Sequence, residues 1–343
     1  MNLQNTYFIA EIGANHEGSL TRACWLVELA ARAGASAVKF QHYRADTLAS
    51  EVGFERLSSL AHYSDNPHRV FRQYEIPWEW TPILAEACRQ SGVDFLSTPY
   101  DLAAVDHLDP YVAAFKIGSG DITYTDLIAH VVSKKKQVLL ATGASSDRDV
   151  STAVSTYYRY RTVDMPPLCI MQCNTNYDVD INKGIHANLN VLGTFKDYSS
   201  QIVLGYSDHT LDSITTLGAV ALGARVIEKH FTDNRTRNGP DHPFAIEPRE
   251  FQEMVSQVQL LEAAMGSGVK QIEANEQETV VLQRRCLRAA RDLPAGHVLT
   301  PADVVALRPA PEGSVPPSRI KEFMGRALKD ELYYHDELYD DCI

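Results

Sequence analysis

The chain has 343 residues, 45% hydrophobic and 22% charged, which is the balance of a folded globular protein with ample core material and not of a disordered chain. A net charge of −12 argues against nucleic acid or an acidic membrane surface as the main partner, while leaving room for a positive pocket that takes a small anion. No run of about 18 uncharged apolar residues occurs, and the N-terminal MNLQNTYFIAEIG lacks a basic region followed by a long apolar stretch, so the chain reads as a cytoplasmic protein without a membrane partner.

Short apolar runs recur along the first 231 positions: TYFIAEIG (6–13), AVKFQHY (37–43), DFLSTPY (94–100), AFKIGSG (114–120), QVLLATG (137–143), PLCIMQC (167–173), IVLGYSD (202–208) and ARVIEKHF (224–231). Their near-continuous hydrophobicity marks strands covered on both faces, as in a parallel sheet. Helical segments separate them. Ser19 is placed to cap a helix whose Leu20, Ala23, Val27 and Ala30 share one face before Gly34 stops it. Pro248 opens another, with Phe251, Met254, Val255, Val258 and Leu261 at helical spacing. Eight strands alternating with helices predict an α/β fold, a (β/α)8 barrel over residues 1–265. The polar, aperiodic stretch 266–282 reads as a linker. From 283 to 343, tight turns such as Pro294-Ala295-Gly296 and a Thr300-Pro301 helix start predict a small β-rich domain. Six cysteines without paired C-x-x-C spacing, Cys169 and Cys173 among them, read as reduced core thiols.

In such a barrel the C-terminal strand ends form the active face. Here they carry Glu11 and Asn15-His16, Lys39 and Gln41, Ser97-Thr98, Lys116 and Ser119, Thr142, Thr175 and Asn176, Ser207-Asp208-His209, and Glu228 and His230. Polar clusters at so many consecutive strand ends point to one site. Lys39 and Lys116, with Ser119 and the amides of Gly118-Ser119-Gly120, suit a phosphate and a carboxylate. His209 and His230 can give two imidazole ligands to a divalent metal whose other positions stay open. Glu228 and Asp241 then orient polar substrate groups or relay protons, with the Gly239-Pro240 turn aiming Asp241 into the mouth.

The motifs AEIGANHEGS, KFQ, STPY, KIGSGD, ATG, YSDHT and EKHFT…GPDH resemble those of the N-acetylneuraminate (sialic acid) synthase family, whose relatives make legionaminic and pseudaminic acids. The tail from about residue 284 is similar to the antifreeze-like (SAF) domain of these enzymes. The resemblance implies metal-dependent condensation of phosphoenolpyruvate with an open-chain N-acylated amino-hexose, such as N-acetylmannosamine, to a nine-carbon 2-keto-3-deoxy acid and phosphate. It places a divalent metal, Mn2+ with Mg2+ or Co2+ as alternatives, on His209 and His230. It assigns Lys39, Lys116, Ser119, Thr175 and Ser207 to phosphoenolpyruvate, with Thr142 in the substrate-binding set. Glu11, Gln41, Asp121, Tyr177 and Asp241 face the sugar or the attacking water, and Glu11 handles the proton. The resemblance also implies a domain-swapped homodimer in which Arg308 reaches the partner's sugar. Three positions depart from the family pattern: Asp121 for glutamate, Ala141 for the serine of STG, and Asp178 for the proline after Tyr177. Two alternatives stand beside this reading: an octulosonate- or heptulosonate-type condensation on another aldose, and a sugar-binding barrel without catalysis.

Overall fold

The computed structural model describes residues 5–56, 66–177 and 183–343. Eight parallel strands form a closed barrel, with β8 paired back onto β1. They are β1 (Tyr7–Glu11), β2 (Ala37–His42), β3 (Asp94–Pro99), β4 (Ala114–Ile117), β5 (Gln137–Ala141), β6 (Cys169–Cys173), β7 (Val203–Asp208) and β8 (Ala224–His230). Each lies within one of the apolar runs. Strands β1, β4, β5 and β6 are buried at every position, the reason they show no polar alternation.

Helices pack outside the barrel. Ser19 accepts the amide of Arg22 through its hydroxyl at 3.3 Å, and the helix Leu20–Arg32 buries Ala23, Leu26, Val27 and Ala30. After β8 the helix Pro248–Met265 begins on its proline and buries Phe251, Met254, Val255 and Val258. Between strands and helices lies the larger core, which includes Phe8, Phe40, Phe115, Phe231 and Phe251. A smaller cluster fills the barrel interior, with Tyr7, Ile9, Leu96, Leu139, Met171 and Val226. That plug occupies the lower and middle levels, and the cavity lined by the strand ends opens above it. Among the described residues no helix is long and apolar enough to cross a membrane.

The chain divides into two compact units, Met1–Gly266 and Ser267–Ile343. The stretch read as a linker is not without structure: it contains a helical turn at Ala274–Glu276 and a helix at Gln277–Gln283. That helix is short and largely exposed, and its apolar residues, Val280, Val281 and Leu282, are consecutive and show no helical period to announce it. It belongs with the second unit, where the amide of Ala310 donates to the carbonyl of Val281 at 2.9 Å. In the second unit β9 (Cys286–Ala289) pairs antiparallel with β10 (Val304–Leu307) over a core of Leu287, Leu293, Leu299, Val315, Phe323, Leu328 and Leu338. The Thr300-Pro301 signal marks a 3-10 turn, Pro301–Asp303, in which the Thr300 hydroxyl and amide both donate to Asp303.

Candidate active site

Strand register sets the floor of the site. Glu11 is level with Lys39 on one side and with His230 on the other, and Ser207 is level with Glu228. Side chains at these positions point inward and meet around a cavity of about 130 Å³, lined by residues of all eight strand ends or the loops that follow them. Its floor is a closed set of opposite charges. Lys39 Nζ lies 2.6 Å from Glu11 Oε2 and 3.8 Å from Glu228 Oε1, and donates to Thr98 Oγ1 at 3.2 Å. Lys116 Nζ donates to both oxygens of Glu228 at 2.8 Å, and the Ser207 hydroxyl donates to Glu228 Oε1 at 3.1 Å. Gln41 Nε2 donates to the other oxygen of Glu11 at 2.6 Å.

All four charged side chains are at most 5% exposed. Burial alone strips the proton from a lysine, yet the charges of Glu11 and Glu228 outweigh it and hold the Lys39 ammonium above its ordinary range. Glu228 is pushed up by burial but pulled down further by Lys116 and Lys39, so it stays a carboxylate. Glu11 goes the other way. Burial and the nearby Glu228 charge raise its carboxyl despite Lys39, which suits a group that gives and takes a proton.

Above the floor, His209 and His230 stand with ring centres 5.4 Å apart. His209 Nδ1 lies 2.7 Å from the carbonyl of Asn174, so Nδ1 carries a proton; burial lowers the pKa of this ring, but Cys173 and that carbonyl raise it further. His230 is buried and held neutral by that burial, then by the charge of His209. Its Nδ1 has no hydrogen-bond partner, with Asp241 Oδ2 3.6 Å away. Two imidazoles, one held neutral by burial and the other oriented by a backbone acceptor, are a fitting donor pair for a divalent cation, which would displace any proton on His209 Nε2. No third His, Cys, Asp or Glu joins them as a metal-holding group among the described residues, which leaves other positions to water or substrate. Tyr177 and Phe244 pack against the imidazoles, at 4.7 Å from His209 and 4.9 Å from His230.

The β8 loop is pinned to the β1 loop. His242 lies 2.7 Å from the Thr232 hydroxyl and 3.1 Å from Glu17, and Glu17 in turn pairs with Arg237 and Arg22. The same loop delivers Asp241, whose Oδ2 accepts the amide of Ala14 at 2.8 Å. Gly13 permits the approach: its φ is +49°, and a Cβ there would lie 2.2 Å from Asp241 Oδ2.

A model of the NeuB family matches residues 26–270, and one of the SAF domain matches residues 284–343. The chain belongs to the NeuB family. It is 32% identical to the N,N'-diacetyllegionaminic acid synthase of Campylobacter jejuni, over 98% of this chain and 99% of that one. It is 34% identical to the Legionella pneumophila enzyme of the same name, over 95% and 91%. Among solved structures, the N-acetylneuraminic acid synthetase of Leptospira borgpetersenii, crystallised with citrate, superposes with a TM-score of 0.70 at 30% identity, over 81% of this chain and 91% of that one.

Within this family member the cavity is lined by Glu11, Lys39, Gln41, Lys116, Ser119, Thr175, Tyr177, Ser207, His209 and His230. Thr142 is not brought to it. Ala141 faces the cavity, so the next residue turns into the wall, where the Thr142 hydroxyl lies 3.1 Å from the Met171 carbonyl and 3.3 Å from Gln172 Oε1. Glu228 is not a free substrate group but the counter-charge of Lys116. Cys173, read as a core thiol, lines the cavity 3.8 Å from His209 Nδ1; its place at a strand end was the available signal. Tyr100 also lines the site, and the STPY motif held it without marking it as polar chemistry. Arg308 is exposed in the second unit, just after β10. Asp178 lies outside the described residues.

Two outcomes follow from this geometry. Gly13→Ala displaces the Asp241 carboxylate, and the specificity constant for the condensation falls at least about tenfold, or ~1.4 kcal/mol. Steady-state kinetics beside an unchanged circular dichroism spectrum checks it; parent-like kinetics would remove Asp241 from the site. Asp121 is half-buried in the turn after β4, and burial raises its carboxyl from 3.8 to about 6. Its neutral form favours folding, a contribution present below pH 3.8 and lost as pH rises through about 6. Asp121→Asn therefore melts higher than the parent near pH 8 and not below about pH 4, as paired thermal scans at the two pH values test.

Proposed function

We propose that this chain is a nonulosonic acid synthase, a transferase that condenses phosphoenolpyruvate with an open-chain N-acylated amino-hexose. The observation that carries the reading is the pair of buried, ion-paired lysines, Lys39 and Lys116, on the floor of a cavity whose wall holds two imidazoles. An acidic protein that places two lysines at the bottom of a pocket is built for a small polyanion. Its relatives are named as synthases of N,N'-diacetyllegionaminic acid, which supports an N-acylated amino-sugar as the acceptor.

In the proposed reaction Lys39, Lys116, Ser119, Thr175 and Ser207 bind phosphate and carboxylate, and Gln41, Asp121, Tyr177 and Asp241 orient the sugar. Carbon 3 of phosphoenolpyruvate forms a bond to the aldehyde carbon, water adds at carbon 2, and the bond from carbon 2 to the phosphate oxygen breaks. Glu11 takes the proton that this water releases and returns it to the former aldehyde oxygen, which becomes a hydroxyl, and the carbon-2 hydroxyl gives its proton to the departing phosphate as the keto group forms. A divalent cation on His209 and His230, Mn2+ in the first instance, supplies Lewis-acid polarisation of the aldehyde oxygen. The proposal includes a homodimer in which Arg308 of one subunit donates to the N-acyl carbonyl in the other's site, a contact suited to the planar guanidinium.

Release of phosphate from phosphoenolpyruvate, measured with a panel of N-acyl amino-hexoses, Mn2+ and product mass spectrometry, tests the reaction. Phosphate release with none of them sinks the reading. Lys116→Met leaves Glu228 without its main counter-charge and is expected to raise the KM for phosphoenolpyruvate at least about tenfold more than that for the sugar. Equal rises would count against an anion role. Mixing Arg308→Ala with His230→Ala subunits is expected to restore activity above either parent variant; no gain would refute the swapped arrangement.

A further inference from the structure

The alternation that turns Ser207 and Glu228 into the cavity turns Asp208 and Lys229 the opposite way, toward the helix Ile214–Ala221. The two are register partners on adjacent strands, and each side chain is at most 1% exposed. Lys229 Nζ donates to Asp208 Oδ2 at 2.8 Å and to the carbonyls of Thr210 and Asp212 at 2.7 and 2.9 Å. Asp208 Oδ2 also accepts the hydroxyls of Thr215 and Thr216 at 3.0 and 2.9 Å, and Oδ1 accepts the amide of Thr210 at 2.9 Å. Every donor of the ammonium is used, and so are both carboxylate oxygens.

A buried ion pair of this kind is a poor source of net stability, because dehydrating both charges offsets their attraction. What distinguishes this one is where it sits in the chain. Asp208 immediately precedes His209, and Lys229 immediately precedes His230. Through the carbonyls of Thr210 and Asp212, Lys229 also grips the segment that leaves His209. The pair therefore ties together, from behind the barrel wall, the two backbone stretches that carry the imidazoles. We infer that Asp208 and Lys229, braced by Thr215 and Thr216, are positioning residues that set the spacing of His209 and His230 and so the affinity of that pair for a divalent cation. This rests on the proposed role of the two histidines as cation ligands.

The test uses the full, metal-stripped chain and reads Mn2+ binding directly, by the electron paramagnetic resonance signal of free Mn2+, with no turnover required. Replacing the pair by apolar side chains, Asp208→Leu with Lys229→Met, removes the ties without leaving an unpaired buried charge. The expected result is Mn2+ binding weakened about ten- to a hundredfold, as for other groups that orient metal ligands. Metal-free binding of phosphoenolpyruvate should change less than about threefold, since Lys39 and Lys116 are held by other partners. A folded double variant that binds Mn2+ like the parent overturns the inference, and so does one that loses phosphoenolpyruvate and Mn2+ alike. Should the double variant not fold, Thr216→Val, which keeps shape and removes one donor to Asp208, is expected to weaken Mn2+ binding by at least about threefold; parent-like binding overturns the inference. His209→Ala separates the two ideas. If it loses Mn2+ while the double variant keeps it, only the positioning role falls. If it binds Mn2+ as the parent does, the histidine-ligand reading falls and takes the positioning role with it.

Discussion

Mutual neutralisation of four buried charges is the constraint on which the site depends. Lys39 lies where burial would drive off its proton, Glu11 and Glu228 lie where burial would restore theirs, and Lys116 donates to both oxygens of Glu228. Held together, from β1, β2, β4 and β8, they keep ammonium groups available at the bottom of a cavity. The arrangement is also poised for exchange: an incoming anion can share a lysine with its carboxylate at far smaller cost than bringing a fresh charge into an apolar hole. Glu11, the carboxylate that takes a proton more readily than Glu228, is the one beside Gln41 at the strand end.

The barrel makes this possible by dividing its labour along its axis. Tyr7, Ile9, Leu96, Leu139, Met171 and Val226 fill the lower interior, so the strands need no cavity there and no polar group is stranded there. Toward the C-terminal ends the inward positions change to charged and hydroxyl residues, and the outward ones pack beneath helices. The period of two along each strand then decides every role: Ala141 faces in and Thr142 out, Ser207 in and Asp208 out, Glu228 in and Lys229 out.

Loops contribute where the strands cannot reach. Asp241 lies eleven positions beyond the end of β8, and its placement depends on the contacts of Arg237 and His242 with Glu17, which bind that loop to the one after β1. Exposed ion pairs are individually weak, but here Glu17 meets Arg22, Arg237 and His242 at once, and the absence of a side chain at Gly13 leaves one place for the carboxylate. The aromatic rings of Tyr177 and Phe244 complete the wall beside the imidazoles.

The sequence by itself determined the eight strands, the Ser19 and Pro248 helix starts, the polar strand ends and the family, because burial on both faces, capping and motif order are written in neighbouring residues. Even Lys39, Lys116, His209 and His230 stand out that way. Only the tertiary structure decided who meets whom. Lys116 and Glu228 are 112 residues apart, and nothing local says that Glu228 serves a lysine and not a substrate. Cys173 at the cavity, Thr142 in the wall and Lys229 behind His230 were equally hidden, as was the exposed helix Gln277–Gln283. Hydrophobic pattern records whether a side chain is covered, whereas the identity of a buried polar group's partner is fixed only when the sheet closes and β8 comes to lie against β1.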